Sequence, residues 1–304
     1  MRLAWPDTQI DWLVFESTAA ILENNPVADR IITIDDQSSF RSNLSTLKRV
    51  FGRYDVSVSV QSGDRPTFFA RCAAPAAYSF ASQASGGRFR DTLLTGVVYG
   101  SKQIHRVDQV LRLTELLKIT AHRRVIPPDP TTTLIPELAH EYVVFHPGAA
   151  FRYKLLNTQA WRDLYDWYFS RNIQVVVTGG NSEFESNYLD KVFDSRELLR
   201  LDGKLSWPQL ADLLIGSRMF IGVDTSVTHL AASLGVQTFA IFGPTDPKLW
   251  APIGPPGTEN VRVIQAALPC VPCQLEGCER HINSRSDCLE KINASVILEA
   301  ADTR

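Results

Sequence analysis

The chain has 304 residues, 44% of them hydrophobic and 10% aromatic, which is enough for two domains with real cores and excludes a disordered chain. Its 31 basic residues balance 33 acidic ones without forming a basic block, so the charge pattern argues against nucleic-acid binding. No run approaches the ~20 consecutive apolar residues of a membrane span and the start lacks the apolar core of a secretion signal, so we expect a cytoplasmic protein.

The first part of the chain alternates apolar runs with helical stretches. The runs are QIDWLVF, ADRIITID (28–35) and YDVSVSV (54–60), and a helix is predicted over Asn43–Phe51. Such alternation is typical of a parallel α/β sheet. Prolines crowd residues 123–141, where we expect a linker between a domain at 1–130 and a second domain at 141–304.

The second part predicts a doubly wound sheet more clearly. Its apolar runs have the nearly continuous character of strands covered on both faces, and they span 142–146, 173–178, 197–201, 219–223 and 238–242. Helices are predicted over Asn157–Arg171 and after Ser206, which forms a capping box with Gln209. No G-x-G-x-x-G follows any of these strands, which argues against a nicotinamide-dependent oxidoreductase.

Ligands in such sheets bind in the loops after the strands. The run 142–146 is followed by Gly148 and Ala149, where the backbone can approach a ligand, and then by Lys154, which offers a charge for a phosphate. The alternative interpretation of this stretch is an ordinary turn followed by a solvent-exposed lysine. The run 173–178 leads into Thr178 and Gly179, a tight turn.

Two further loops complete this edge of the predicted sheet. Glu183, beyond the turn at Thr178, is placed to accept hydrogen bonds from ribose hydroxyls or simply to begin a helix. The run 238–242 is followed by Gly243 and Pro244, a rigid turn that we expect to complete the floor of the pocket.

The loop after 219–223 is the most informative stretch of the chain. Asp224 or Thr225 caps a helix whose free amides, with the hydroxyls of Thr225 and Ser226, predict an anion site that needs no metal. His229 lies one turn further along the same helix face and is placed to meet the same ligand. A packed, hydrogen-bonded histidine is the alternative.

Four of the five cysteines lie within nineteen residues, at Cys270, Cys273, Cys278 and Cys288. The C-x2-C spacing of the first pair suits a structural zinc or iron site, and reduced thiols without a metal are the alternative. Disulfides are disfavoured in the cytosol, and no histidine is evidently placed to activate a cysteine for catalysis.

In chain order, the stretches HPGA with the downstream Lys154, TGGNSE, GVDTSVTHLAASLG, FGPTDPKLW and PCVPCQLEGC resemble glycosyltransferase family 9, the lipopolysaccharide heptosyltransferases. The resemblance runs from about Tyr142 to the end of the chain, and the first half is similar only in outline. It implies an α/β fold of the GT-B type, with two Rossmann-like domains facing each other across a cleft. The first would hold the acceptor and the second the nucleotide sugar.

The resemblance also implies roles for individual residues. Lys154 corresponds to the lysine that contacts the phosphate and ribose region of the donor, and Glu183 to the carboxylate near the ribose. Asp224 corresponds to the aspartate that binds sugar hydroxyls. Thr225, Ser226 and His229 correspond to residues around the diphosphate. No cofactor is required, because these groups alone would stabilise the leaving diphosphate.

The start of the chain departs from the family pattern. Family members begin with a strand and a Gly-Asp loop to which the general base is assigned, whereas this chain begins within the family's first helix, near Trp5 and Pro6. We therefore expect an incomplete amino-terminal domain without its central strand and base. A longer gene product and an inactive, truncated relative both explain this. Asp64 is a weak substitute candidate for the base, with a turn aspartate as the alternative.

The family implies inverting transfer of a heptose from ADP-heptose to the lipopolysaccharide inner core. A relative that binds a nucleotide sugar without transfer, or a transferase with another donor, remains open as an alternative. The acceptor is lipid-linked, so the resemblance further implies peripheral contact with the inner face of the inner membrane.

Overall fold

A computed structural model describes residues 1–37, 39–81, 92–101, 103–132, 135–194 and 196–302, with Phe40 and Ala81 described by their backbone alone. The contacts divide the chain into two units, Met1–Arg123 and Arg124–Arg304. Between Leu116 and Tyr142 the described residues form neither helix nor strand, as the prolines there predict. Over the described ranges, every helix is too short or too polar to cross a bilayer.

The first unit contains short parallel strands separated by helices. The strands are β1 (Asp11–Phe15), β2 (Arg30–Ile34), β3 (Val56–Ser59), β4 (Ala76–Ala81) and β5 (Gly96–Tyr99). The helices are α1 (Glu16–Ala19), α2 (Phe40–Val50), α3 (Asp64–Ala73), α4 (Arg106–Leu111) and α5 (Leu113–Leu116). Helix α2 begins after Ser39, whose hydroxyl accepts a hydrogen bond from the Ser42 amide at 3.1 Å.

The strands of the first unit form two parallel sheets. One consists of β1 and β2, and the other has the order β3-β4-β5. Among the described residues no strand hydrogen bond joins the two. They share a core nevertheless, because Ile32 and Ile34 of β2 pack with Phe69 and Ala73 of α3.

The second unit has longer and more deeply buried elements. Its strands are β6 (Tyr142–His146), β7 (Gln174–Val177), β8 (Leu199–Arg200), β9 (Met219–Val223), β10 (Thr238–Phe242) and β11 (Val261–Gln265). Its helices are α6 (Thr158–Phe169), α7 (Glu183–Val192), α8 (Trp207–Gly216), α9 (Ser226–Ser233), α10 (Pro247–Trp250), α11 (Asp287–Glu290) and α12 (Ala294–Asp302).

These six strands form one parallel sheet in the order β11-β10-β9-β6-β7-β8. From β6 the chain moves outward through β7 and β8, and then returns to add β9 on the other side of β6. The strand order therefore reverses between β6 and β9, and this is the position where ligands bind in open α/β sheets. Every residue of β6, β9 and β10 is buried, because helices cover both faces.

Several sequence predictions are confirmed in this unit. Strands β6, β9 and β10 have the predicted bounds, and β7 and β8 are shorter than predicted at their ends. Ser206 and Gln209 form the predicted capping box. Strands β4, β5 and β11 were not predicted from the sequence.

Candidate functional site

The loops after β6 and β9 bring Lys154 and Asp224 together at the point where the strand order reverses. Lys154 Nζ lies 2.9 Å from Asp224 Oδ2 and 3.1 Å from the Asp224 carbonyl oxygen. The Asp224 side chain is 8% exposed and that of Lys154 is 25% exposed. The pair is thus partly open to solvent, and its charges can also interact with a ligand.

The position of Lys154 is fixed by its own loop. Residues Arg152–Lys154 form a 3-10 turn, and the Lys154 amide donates to the Phe151 carbonyl at 3.1 Å. The rings of Phe151 and Tyr153 stack at 5.5 Å, and the Ser286 hydroxyl donates to the Tyr153 carbonyl at 2.7 Å. The lysine is therefore presented from a turn that is anchored to the segment before α11.

Helix α9 begins beside this pair of side chains. Thr225 is its N-cap in an extended conformation and makes no side-chain cap bond. In the part of the chain that the structure describes, the amides of Ser226 and Val227 have no hydrogen-bond acceptor, and Ser226 is exposed. Unpaired amides at a helix start are the condition for binding an anion.

The other predicted residue of this helix, His229, lies one turn after Thr225. Its side chain is half-buried, and its amide donates to the Thr225 carbonyl at 3.4 Å. The turn is held from inside by Thr228, whose hydroxyl donates to the Val223 carbonyl within a fully buried environment. The start of α9 is thus fixed by buried contacts, while Thr225 is half-buried and Ser226 is exposed.

Glu185, in the first turn of α7, is a carboxylate beside these loops that was not singled out in the sequence. Glu185, rather than Glu183, folds back over the turn after β7, where its Oε1 accepts from the Gly180 amide at 3.3 Å. A Cβ on Gly148 would lie 2.6 Å from the same oxygen, so Glu185 also covers the loop after β6. Glu183 is exposed at the first position of α7. The spacing of Ser182 and Glu185 is that of a capping box, and this signal was available in the sequence.

The side chain of Thr178 points into the interior of the second unit and does not face the site. Its hydroxyl lies 2.9 Å from His146 Nδ1, and both side chains are buried. Burial lowers the pKa of His146 to about 4, so the ring is neutral at pH 7. Gly179 is required for packing, because a Cβ there would lie 2.9 Å from Leu189 Cδ1.

The loop at Gly243 and Pro244 is buried and held by its neighbours. Gln265 Nε2 donates to the carbonyls of Gly243 and Thr245 at 2.7 Å and 2.9 Å. A Cβ on Gly243 would lie 2.7 Å from Leu289 Cδ1, so glycine lets α11 approach the sheet. Ala149 is likewise buried, at 2% exposure. These residues shape the edge of the sheet through their backbone.

The four cysteines were interpreted as a metal site or as reduced thiols, and the structure does not arrange them to bind a metal. Cys288 is buried in α11, and burial raises the pKa of its thiol to about 11. Cys270 and Cys278 are exposed, and Cys273 is half-buried. Over the described residues, no group of three or more His, Cys, Asp or Glu side chains is arranged to hold a metal ion.

Asp64, the weak candidate for a general base, lies in the first unit. It is the first residue of α3 and follows Gly63, whose φ of 140° favours glycine. An acidic side chain in this position is stabilised by the helix dipole, which is a structural role.

Solved structures share the fold over nearly the whole chain. A glycosyl transferase family 9 protein from Veillonella parvula matches with a TM-score of 0.77 and 18% identity, covering 99% of this chain and 89% of that one. The E. coli heptosyltransferase WaaC with ADP matches with a TM-score of 0.75 and 19% identity, covering 99% and 92%. The fold is therefore the GT-B type, with two Rossmann-like domains.

Sequence comparison gives the same family. Lipopolysaccharide heptosyltransferase 3 of E. coli K12 is 25% identical over 86% of this chain and 80% of its own length. Lipopolysaccharide heptosyltransferase 1 of Pseudomonas aeruginosa is 31% identical over 45% of this chain and 37% of its own. The model of glycosyltransferase family 9 (heptosyltransferase) matches residues 109–282. The chain belongs to glycosyltransferase family 9, the heptosyltransferase family.

Proposed function

We propose that this protein transfers a heptose from ADP-heptose to the inner core of lipopolysaccharide, with inversion at the anomeric carbon. Family membership supports the transfer of a heptose, and the names of the relatives support lipopolysaccharide as the acceptor. One similar solved structure carries ADP, and another carries ADP-2-deoxy-2-fluoro heptose. The observation that carries the proposal is the pair of Lys154 and Asp224 beside the unpaired amides of α9.

In this proposal the diphosphate of the donor binds at the start of α9. The amides of Ser226 and Val227 and the ammonium group of Lys154 stabilise the negative charge that develops on the leaving diphosphate. Asp224 accepts hydrogen bonds from the sugar, while Glu185 takes the ribose role that the sequence analysis gave to Glu183. An acceptor hydroxyl attacks from the face opposite the diphosphate, which inverts the configuration.

The remaining predicted residues surround this donor. Gly148, Ala149, Gly179, Gly243 and Pro244 supply backbone surface, and the backbone of Thr178 belongs to the same edge. Thr225 and His229 complete the surroundings of the diphosphate. The general base that deprotonates the acceptor hydroxyl is not identified. Asp64 is the one candidate that the sequence offers.

The acceptor is lipid-linked, so the proposed reaction takes place at a membrane. We propose that the protein works in the cytoplasm, in peripheral contact with the inner face of the inner membrane. We propose that no metal takes part in the reaction, because the Lys154 ammonium group and the amides of α9 can stabilise the diphosphate.

The donor site is tested by titrating the protein with ADP in a calorimeter. We expect Lys154→Ala to weaken ADP binding by about tenfold or more, because it removes the cation beside the diphosphate. Asp224→Ala should weaken ADP-heptose binding or heptose transfer by a similar factor, because it removes the acceptor for the sugar hydroxyls and the carboxylate that positions Lys154. Glu185→Gln should weaken ADP binding more than Glu183→Gln, since only Glu185 lies against the loops after β6 and β7.

Matched controls exist in the same unit. Lys191 is exposed in the last turn of α7, at the opposite end of that helix from Glu185, so Lys191→Ala removes a positive charge away from the site. Its ADP affinity should equal that of the unaltered protein. Unchanged titrations of both Lys154→Ala and Asp224→Ala with ADP-heptose would remove the proposed donor site.

A second candidate function is nucleotide-sugar binding without transfer. The observation that favours it is the separation of the first unit's strands into two sheets, since that unit is the one expected to present the acceptor. Measuring ADP-heptose binding and heptose transfer on the same sample separates the two, because binding without turnover favours this candidate. A panel of other nucleotide sugars tests for a different donor.

A further inference from the structure

Two stacked aromatic rings lie next to the candidate donor site. Phe151 and Tyr153 belong to the loop that runs from the end of β6 to Lys154, so they lie at the edge of the sheet where the strands end. Their ring centroids are 5.5 Å apart and their planes differ by 10°. Phe151 is 40% exposed and Tyr153 is half-buried. Aromatic side chains line many small-molecule sites, so this pair is a candidate wall of the donor site.

The Tyr153 ring is held in place before any ligand binds. Its ring is backed by that of Phe151, and its carbonyl oxygen accepts a hydrogen bond from the Ser286 hydroxyl at 2.7 Å. The next residue, Lys154, is held by Asp224 at 2.9 Å. A side chain that is fixed in the free protein loses little conformational entropy when a ligand packs against it.

The hydroxyl of Tyr153 lies within electrostatic reach of two carboxylates. Burial raises the pKa of Tyr153, and the negative charges of Glu276 and Asp224 raise it further. The hydroxyl therefore stays protonated at pH 7 and can donate a hydrogen bond. Asp224 is also the carboxylate to which the proposed function assigns the sugar hydroxyls. The Tyr153 side chain is thus close to the place that the proposed function gives to the sugar.

We propose that the stacked rings of Phe151 and Tyr153, here called the aromatic pair, hold the heptose of the donor. The Tyr153 ring packs against the sugar, and Phe151 supports that ring from behind. This inference rests on the proposed function and adds the residues that recognise the sugar. A sugar ring carries C–H groups on its faces, and the negatively polarised face of an aromatic ring attracts them. Asp224 accepts hydrogen bonds from the hydroxyls around the edge of the same sugar.

Calorimetric titrations with ADP and with ADP-heptose separate recognition of the sugar from recognition of the nucleotide. We expect Tyr153→Ala to weaken ADP-heptose binding about tenfold and ADP binding less than about twofold, because only the sugar loses a partner. Tyr153→Phe keeps the ring and should bind ADP-heptose within about threefold of the unaltered protein. Phe151→Ala should weaken ADP-heptose binding about threefold, because the Tyr153 ring loses its support.

A similar ring stack in the same unit supplies a matched control. Phe169 stacks on Tyr165 with centroids 5.6 Å apart, and it is 63% exposed. It is the last residue of α6, which leads into the start of β7, so it lies at the edge of the sheet opposite the donor site. Phe169→Ala should change neither titration. Circular dichroism checks that each variant folds.

Two results would overturn this inference. One is an equal loss of affinity for ADP and ADP-heptose in Tyr153→Ala, because the ring would then stack on the adenine or merely hold the turn that carries Lys154. The other is an unchanged affinity for ADP-heptose in that variant. Neither result bears on heptose transfer by the unaltered protein, which tests the proposed function by itself.

Discussion

The imidazole of His146 is one of the few ionisable groups inside the second unit. It is 5% exposed, it lies 2.9 Å from the Thr178 hydroxyl, and its ring stacks on Phe220 with centroids 6.3 Å apart. Burial favours the neutral ring, and for this reason its pKa falls to about 4.

This pKa predicts a pH-dependent stability. The unfolded chain binds a proton at His146 near its ordinary pKa of 6.5, whereas the folded chain does so only near 4. Folding stability is therefore full above about pH 6.5 and falls as the pH drops towards 4. Between pH 7 and pH 5 we expect His146 to account for a loss of about 2 kcal/mol.

Urea unfolding at both pH values checks this prediction with His146→Gln as the comparison. The variant should be less sensitive to the pH change by about the same 2 kcal/mol, since acidic groups elsewhere contribute equally to both proteins. Equal losses in the two proteins would show that the imidazole is not held in its neutral form by burial.

For single residues, the sequence predicts which loop a side chain follows more readily than which atoms it contacts. The contact between Lys154 and Asp224 was not predicted; it arises because both residues follow strands that are adjacent in the sheet. Glu185 was missed, and Thr178 turns its hydroxyl inward to His146. Two carboxylates separated by one residue leave a helix start on different sides, and only the fold shows which side meets the loops.

Among the helices, α6 is tied to the segment around α11 by one side chain. Asn157 Oδ1 accepts from the Ala160 amide at 2.8 Å and so caps α6. Its Nδ2 donates to the Ile292 carbonyl at 2.7 Å, and the carbonyls of Leu289 and Glu290 lie at 3.4 Å and 3.3 Å. One residue thus satisfies a helix start and a helix end together.

We expect Asn157→Ala to destabilise the second unit by about 2–3 kcal/mol, because it removes the cap and the carbonyls' donor. Asn157→Ser keeps a cap oxygen and should cost about 1 kcal/mol less. Ser206→Ala, which removes only the cap of α8, should cost about 1 kcal/mol. Urea unfolding measures all three, and an Asn157→Ala cost no larger than that of Ser206→Ala would contradict the double role.

The strand predictions were most accurate for strands that are buried on both faces of the sheet. Strands β6, β9 and β10 are covered on both faces, and their sequences are nearly continuous apolar runs. Strand β11 lies at the edge of the sheet with Arg262 exposed, and β5 has only four residues including Gly96, so neither has such a run. The formation of edge strands and short strands depends more on pairing with neighbouring strands than on their own amino-acid sequence.

For the whole molecule, the two units differ in how much apolar surface they bury. The core clusters of the second unit include fully buried Trp161 and Leu214, on opposite faces of its sheet, while those of the first unit are small. Two cores of unequal size predict two thermal transitions, with the second unit unfolding at the higher temperature.

Calorimetry of the intact chain checks this prediction. ADP at about 100 times its dissociation constant should stabilise only the upper transition, by about 2.7 kcal/mol. Trp161→Ala should lower the upper transition and Phe69→Ala the lower one, because each residue belongs to the core of one unit. A single transition that both variants shift equally would contradict independent cores.

The division into two units follows from length and from the prolines between them, and both are visible in the sequence. The sequence did not predict that β1-β2 and β3-β4-β5 form separate sheets, because strand pairing depends on contacts between residues that are distant in the chain. The hydrogen bond from Tyr54, just before β3, to Asp11, at the start of β1, likewise joins residues that are 43 positions apart.

The ion pair between Lys154 and Asp224 also bears on the thermodynamics of ligand binding. A lysine side chain carries about 2 kcal/mol of rotamer entropy, and here Asp224 restricts it in the free protein. The ammonium group is thus preorganised, and capturing a diphosphate needs little further ordering of that side chain. Fixing the cation in advance shifts this entropic cost from recognition to folding.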